Sequence, residues 1–171
     1  MNIFVLDNNP EKAAAAMDCV RVPKMVVESA QMMASALRRW GATDEQMPIA
    51  KTSGKPYRGG YKHHPCTIWA GDTFSNFDWL CRHAVGLLIE YRNRFGKRHA
   101  CSGPIVHMIE HTPNNIPFGE LTPFAQAMPD EYKHEDVVTA YRAYYHSKVH
   151  SKGGVYYRHT SPPDWWMGVT A

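Results

Sequence analysis

The sequence predicts an all-α protein: a single-domain bundle of about five helices with long loops and an aromatic C-terminal tail. Its 171 residues suffice for one domain with a hydrophobic core and are few for two. Apolar side chains recur every three or four residues in the patterned segments, which is the spacing of a helix face. Hydrophobic residues form 44% of the chain, so a core can be filled. We therefore expect residues 1–171 to fold as one helical domain.

Cap residues, prolines and glycines mark where the predicted helices begin and end. Asn9 and either Asp72 or Thr73 are expected to cap helices, and Gly41 and Gly96 to end them. The predicted helices, with a short turn at 65–69, span residues 10–19, 23–40, 65–69, 73–95, 104–111 and 136–149. Residues 3–6 are apolar and expected to be extended, and residues 123–128 to form one or two helical turns.

The segment 73–95 has the strongest helical pattern, and we expect it to be the most buried element. Its apolar side chains repeat at helical spacing over about six turns. The positions predicted to be nearly inaccessible are Phe77, Leu80, Ala84, Leu87 and Leu88. The opposite face, which includes Arg94, is charged and expected to lie in solvent.

Composition and short motifs exclude several classes of protein. The net charge is only +3, and ten histidines make the true charge vary with pH near neutrality. No apolar run approaches the roughly 18 to 20 residues that span a bilayer, and the first residues lack the basic start of a signal peptide. Cys19, Cys66, Cys81 and Cys101 show no CxxC spacing. We therefore expect reduced thiols, no membrane contact and a cytoplasmic location.

The strongest local signal is the sequence KTSGKPYRGGYKHH, residues 51–64, here called the basic loop. It ends a long loop over residues 42–64, and loops of that length are often functional. Cations attract phosphates, and the interleaved tyrosines offer faces on which bases stack. The candidate contacts to nucleic acid are Arg21, Lys51, Lys55, Tyr57, Arg58, Tyr61, Lys62 and His63. The alternative is a solvated basic loop without a ligand.

Three residues are the candidates for catalysis. Lys24 and Glu28 are four residues apart in the second predicted helix and share a face, as a base and its electrostatic partner would. His64 stands where the basic loop rejoins the core, just before Pro65, so its ring could act as an acid or a base. The alternatives are a surface ion pair and a histidine that closes the loop through a backbone hydrogen bond. If catalytic, the three are expected to converge in a cleft roofed by the basic loop.

Two further features are expected to be structural. His107 and His111 flank Glu110 in the H-x-x-E-H spacing of zinc sites on helices. In a chain with ten histidines such a pattern arises easily by chance and a third ligand is not evident, so we expect no metal and no cofactor. Trp165 and Trp166 lie in the tail over residues 151–171, which is expected to pack onto the domain; stacking on bases is the alternative.

Two segments, KMVVESAQ at residues 24–31 and GYKHHP at residues 60–65, together with the helix at 69–95, carry a family resemblance. They resemble the small helical proteins grouped with phage pyrimidine-dimer DNA glycosylases of the endonuclease V type. The resemblance implies an all-α fold, DNA repair chemistry at a base–sugar bond and, for a phage protein, a place in the host cytoplasm. Members of the family attack the sugar with an N-terminal α-amine and use a glutamate early in the second helix. In this chain the second residue is Asn2. Residues 20–23 read VRVP and contain no acidic side chain, so Glu28 is the nearest carboxylate on that helix.

Two functions are compatible with these residues. In the first, the protein cleaves an N-glycosidic bond of DNA or of a nucleotide and could also act as a lyase. Glu28 would stabilise the cationic sugar, His64 would protonate the leaving base, and Lys24 would serve as nucleophile or phosphate contact. The target base would be flipped out and stacked on an aromatic side chain. In the second, the chain is a non-catalytic module that binds nucleic acid or a host protein. Burial of Glu28 beside Lys24 and His64 favours the enzyme, and an open surface favours the module; nothing in the sequence predicts the oligomeric state.

Overall fold

Helices dominate the fold, as predicted. The computed structural model describes residues 1–168, and within them the only β-type pairing is an isolated bridge between Ile49 and Pro56. The α-helices are α1 (Pro10–Ala15), α2 (Arg21–Arg39), α3 (Pro65–Ala70), α4 (Phe74–Phe95), α5 (Ser102–Glu110) and α6 (Val137–His146). Single 3₁₀ turns occur at Asp130–Tyr132 and Ser147–His150.

Local capping chemistry accounts for most helix ends. The side chains of Asn9, Thr73 and Asp136 each accept a hydrogen bond from a backbone N–H in the first turn of α1, α4 and α6. Gly96 follows α4 in the left-handed conformation, with φ of 67°, which glycine adopts without steric cost. These boundaries match the predicted ones because their signals lie within a few residues of each helix end.

The junction between α1 and α2 differs from the prediction. Helix α1 ends at Ala15, four residues early, and α2 begins at Arg21 rather than Pro23. The cause is Asp18, whose carboxylate accepts hydrogen bonds from the backbone N–H groups of Val20 and Arg21. The wholly buried Asp18 carboxylate therefore starts α2 two residues before the proline that the sequence pattern favoured.

Two non-helical segments also depart from the prediction. Residues 3–6 are fully buried but form no strand; Phe4 has a left-handed φ of 39°, which interrupts an extended run. Residues 123–128 form no helical turn. Instead, the side-chain amide of Gln126 donates to the backbone carbonyl of His134 and accepts from its N–H. These two bonds hold the segment in a non-helical conformation beside the 3₁₀ turn at Asp130–Tyr132.

Helix α4 is not the most buried element, because α2 buries more of its residues. Twelve of the 19 residues of α2 are buried, against ten of 22 in α4, and α2 packs against α3, α4 and α5. In α4, Phe77, Leu80, Ala84 and Leu87 are buried as predicted, but Leu88 is only half-buried. Arg94 was expected in solvent and is buried. Its guanidinium donates to the backbone carbonyls of Ala15 and Met17 at the open end of α1, which have no further helical partner.

The tail packs against α6 through Trp165 and Trp166. The guanidinium of Arg142 lies 5.0 Å from the ring centre of Trp165, and the ring of His146 stacks on Trp166 at 4.7 Å. Residues 169–171, which the predicted packed tail includes, lie outside the described residues. Within residues 1–168, the helices are all too short or too polar to cross a membrane. All four cysteines are free thiols.

Candidate functional site

The predicted Lys24–Glu28 pair forms on the face of α2 that is nearest the N-terminal segment. The Lys24 Nζ lies 3.3 Å from the Glu28 Oε1, and 68% of the lysine side chain is exposed against 11% of the glutamate. A surface ion pair would leave both side chains in water. Here the carboxylate is buried and only the lysine reaches solvent, so the pair is not an ordinary surface ion pair.

A second amine contacts the same carboxylate. The α-amino group of Met1 lies 3.6 Å from the Glu28 Oε2. This distance is too long for a hydrogen bond, and the Oε2 atom is buried with no hydrogen-bond partner within residues 1–168. Glu28 therefore lies between two amines, one exposed and one buried, and keeps one oxygen unbonded.

Asn2 fixes the position of the Met1 amine. Its Oδ1 accepts hydrogen bonds from the backbone N–H groups of Ile3 and Phe4, at 2.8 and 2.9 Å, and its Nδ2 donates to the carbonyl of Ala127 at 2.9 Å. The next four residues are buried in the core. A terminal segment bonded and buried in this way is held in one place, unlike the frayed ends common in proteins.

His64 caps helix α3, and the charge of Glu28 influences its pKa. Its Nδ1 accepts a hydrogen bond from the backbone N–H of Cys66 at 3.2 Å, at the start of α3. Burial lowers the pKa of His64, the positive charge of the Met1 amine lowers it further, and the Glu28 carboxylate opposes both. A ring that accepts at Nδ1 carries its proton on Nε2 when neutral. This geometry favours a neutral Nε2–H donor over the protonated general acid predicted from sequence.

The basic loop is anchored along the same face of α2, beyond Glu28. The hydroxyl of Ser35 donates to the carbonyl of Gly60 at 3.0 Å and accepts from its N–H at 2.9 Å. Arg38 Nε donates to the carbonyl of Tyr57 at 3.0 Å. Gly59 is required here, because a Cβ at this position would lie 2.2 Å from the Ser35 hydroxyl and its φ is 79°.

Most of the predicted nucleic-acid contacts are exposed on this loop. Lys51, Lys55, Tyr61, Lys62 and His63 are open to solvent. Within residues 1–168 the three lysines have no ion pair. A row of unpaired cations with an aromatic ring 68% exposed suits contact with a polyanion.

Two loop residues are more constrained. Arg58 is mostly exposed but lies 3.7 Å from Asp44, so part of its charge is neutralised. Tyr57 is half-buried, and that burial raises the pKa of its hydroxyl, with Cys101 as its nearest titrating neighbour. Both residues are therefore less free to contact a ligand than the exposed lysines of the loop.

Two cavities lie beside the basic loop, with volumes of about 380 and 260 Å³. The larger is bounded by α2, α3 and the loop, and the smaller by α2, the loop and Cys101. Arg58 lines both. Glu28, Lys24 and His64 line neither cavity, so they do not form the expected cleft roofed by the basic loop. Lys24 contacts Glu28, and His64 is near enough for the Glu28 charge to influence its pKa.

Arg21 is separated from the basic loop. Its side chain is 7% exposed and pairs with Asp18 at 3.0 Å. It also donates to the carbonyls of Lys148 and Gly154 and to the hydroxyl of Ser151, which ties α2 to the segment after α6. All of these partners are internal, so the position of Arg21 suits packing of the tail and not contact with nucleic acid.

The two histidines of α5 are engaged with backbone groups. Their rings stack at 4.0 Å; His107 Nε2 lies 3.1 Å from the carbonyl of Gln46, and His111 Nδ1 lies 2.8 Å from the carbonyl of His107. Within residues 1–168, no three histidine, cysteine or acidic side chains are grouped so as to hold a metal ion.

Sequence reasoning missed three features of this region: the Met1 amine beside Glu28, the cations Arg38 and Arg39 of the larger cavity, and the hydroxyl of Thr67 in its wall. A signal for the arginines was present, since Lys24, Glu28, Gln31, Ser35 and Arg38 follow one another at helical spacing. No local signal identifies the Met1 contact. Comparisons of the chain with protein-family models, curated proteins and solved structures gave no match.

Proposed function

We propose that this chain, acting as one helical domain, cleaves an N-glycosidic bond in DNA or a nucleotide. The observation that carries the proposal is the buried carboxylate of Glu28 between two amines, the Met1 α-amine at 3.6 Å and the Lys24 Nζ at 3.3 Å. An amine beside a carboxylate supplies both a nucleophile and a group that stabilises positive charge on a sugar. The resemblance to pyrimidine-dimer glycosylases implies the same pair of groups.

The reaction would begin with an attack by a free amine on C1′ of the sugar. The new C1′–N bond forms as the bond from C1′ to the base breaks, and the electron pair of that bond leaves with the base. The amine, now positively charged, gives up a proton, which neutralises the departing base. Glu28 stabilises the cationic sugar in between and could relay this proton through its unbonded oxygen. The nitrogen lone pair then forms a C1′=N bond as the C1′–O4′ bond breaks, and O4′ takes up the proton that the nitrogen loses. The product is an imine between the protein and the ring-opened sugar, which water hydrolyses to regenerate the amine.

The surrounding residues would assist in different ways. The Nε2–H of a neutral His64 could donate a hydrogen bond to an oxygen or nitrogen of the leaving base. The exposed lysines of the basic loop would bind phosphates, and the exposed ring of Tyr61 could stack on a base that has left its helix.

Borohydride trapping tests this proposal. The protein is incubated with oligonucleotides that carry damaged or modified bases, and the reductant converts an imine between protein and sugar into a stable adduct. We expect an adduct, and mass spectrometry of its peptides distinguishes attack by Met1 from attack by Lys24. A variant with one glycine added before Met1 should lose the adduct if the α-amine attacks, because the extra residue moves it away from Glu28.

The matched variants are Glu28→Gln and Glu110→Gln. Glu28→Gln should abolish turnover and keep nucleic-acid binding, because the shape and the loop cations survive. Glu110 is exposed on α5, and its substitution should change neither property. If Glu28→Gln leaves every measured cleavage activity intact, or if no substrate gives an adduct or a free base while oligonucleotides still bind, the chain is a binding module rather than a glycosylase.

A further inference from the structure

The larger cavity, between α2, α3 and the basic loop, has the lining of an anion site. Its volume of about 380 Å³ falls within the range of small-ligand pockets. The polar residues of its wall come from three elements that are distant in sequence: Ser35, Arg38, Arg39, Arg58, Lys62, His63 and Thr67. Four of these side chains carry a permanent positive charge, and no carboxylate lines the cavity.

Neighbouring carboxylates offset only part of that charge. Asp44 pairs with Arg38 and Arg58, at 2.5 and 3.7 Å, and Asp72 pairs with Arg39 at 2.9 Å. Lys62 has no ion pair within residues 1–168. Four cations set against two carboxylates leave an excess of two positive charges around one concave space, where low-dielectric walls strengthen attraction for an anion.

Thr67 provides an independent indication of a ligand. It is 4% exposed, and its hydroxyl has no hydrogen-bond partner within residues 1–168. Buried hydroxyls are nearly always hydrogen-bonded, because an unsatisfied one is costly. Thr67 stands in the first turn of α3 and lines this cavity. The hydroxyl oxygen itself is closed to solvent, so a turn of the side chain about its Cα–Cβ bond would bring it to an acceptor oxygen bound in the cavity and satisfy it.

We propose that this cavity binds a phosphate group, with Lys62 and the arginines matching its charge and the Thr67 hydroxyl donating to one of its oxygens. A terminal phosphate carries between one and two negative charges near neutral pH, close to the excess around the cavity. The phosphate could come from a free nucleotide or from the backbone of a strand. Ser35 lines the cavity seven residues beyond Glu28 on the same helix, so the site is about 10 Å from the carboxylate along α2. It is therefore distinct from the Glu28 carboxylate. Because Lys62 is also one of the phosphate contacts of the proposed function, a backbone phosphate at this site rests on that function, whereas a free nucleotide does not.

Three probes distinguish the sources of the phosphate: inorganic phosphate, a nucleoside monophosphate and a single-stranded 12-nucleotide DNA. Binding of the first two is measured through the rise in melting temperature and binding of the DNA by fluorescence anisotropy, all at low ionic strength. The variants are Thr67→Val, which removes the hydroxyl and keeps the shape, and Lys62→Ala, which removes a wall cation that has no ion pair among residues 1–168. Lys97→Ala is the control, since Lys97 is exposed beyond the end of α4.

We expect each of Thr67→Val and Lys62→Ala to weaken binding of at least one probe by about tenfold or more, which is the usual loss for a hydrogen bond to a charged group. Lys97→Ala should weaken it less than twofold. Tightest binding by the monophosphate identifies a nucleotide site, and tightest binding by the DNA identifies a backbone site. Without ligand, Thr67→Val should melt no lower than the unchanged protein, because its hydroxyl has no partner to lose. The proposal is overturned if no probe binds, if both variants bind all probes as the unchanged protein does, or if polyglutamate competes as well as phosphate.

Discussion

His83 should make the folded protein sensitive to mild acid. It lies in α4 with no exposed surface, its ring stacks on Trp79 with centres 5.0 Å apart, and neither ring nitrogen has a hydrogen-bond partner within residues 1–168. Burial lowers the pKa of His83 to about 3, and the negative charge of Glu11 opposes this effect only weakly. The folded protein therefore keeps the ring neutral above about pH 3.

The size of the effect follows from linkage between protonation and folding. In the unfolded chain His83 regains the ordinary histidine pKa of 6.5. Between this value and about 3, the unfolded chain binds a proton that the folded chain does not, so stability is complete above pH 6.5 and falls as the pH is lowered. Each pKa unit of difference is worth about 1.4 kcal/mol, so His83 should remove about 2 kcal/mol of stability between pH 7 and pH 5.

Urea unfolding at pH 7 and pH 5 measures this loss. His83→Phe keeps a flat ring against Trp79 and removes the titrating group, so its stability should fall by about 2 kcal/mol less than that of the unchanged protein over this range. His150→Phe, at an exposed histidine, should retain the full loss. Equal losses in the unchanged protein and in His83→Phe would show that the ring of His83 is protonated in the folded state and would refute the reasoning.

Three further predictions concern packing and binding. Leu87→Ala in the core face of α4 should lower the free energy of unfolding by about 2–5 kcal/mol in urea titrations; a loss near zero would mean that this site lies outside the core. Lys55→Ala should weaken binding of DNA and reduce the salt slope of its affinity by about one unit, measured by anisotropy at several salt concentrations, whereas Lys97→Ala should not. Asp18→Asn should cost about 3–5 kcal/mol, because it leaves the buried guanidinium of Arg21 without its carboxylate, and an unchanged urea midpoint would contradict this.

Helix boundaries were predictable where the signal is local. Asn9 and Thr73 accept hydrogen bonds within their own helices, and Gly96 takes up a conformation that other residues avoid. Arg94 was not predictable, because its burial depends on free carbonyls at the end of α1, 77 and 79 positions away in the chain. The same holds for Arg21, whose partners lie after α6 and appear in the sequence only as unpatterned tail residues.

The candidate site, like the helix boundaries, was predictable only where its signal is local. The Lys24–Glu28 contact follows from a spacing of four residues on one helix. Burial of Glu28 and its contact with Met1 depend on how residues 1–6 pass through the core, which no spacing rule describes. The exposed loop cations were predictable from composition, whereas the cavity beside them requires α2 and α3 to be packed together.

Glu28 differs from the other buried charged groups of residues 1–168 in one respect. Asp18 accepts hydrogen bonds at both carboxylate oxygens, and Arg21 and Arg94 donate to several backbone carbonyls. Hydrogen bonds offset the cost of burying these charged groups, as they do in a structural network. The Oε2 of Glu28 is buried and accepts none, although a carboxylate left in this way is costly. The fold satisfies these other buried charges and leaves one carboxylate oxygen of Glu28 unbonded beside two amines, which is the physical reason to test Glu28 first.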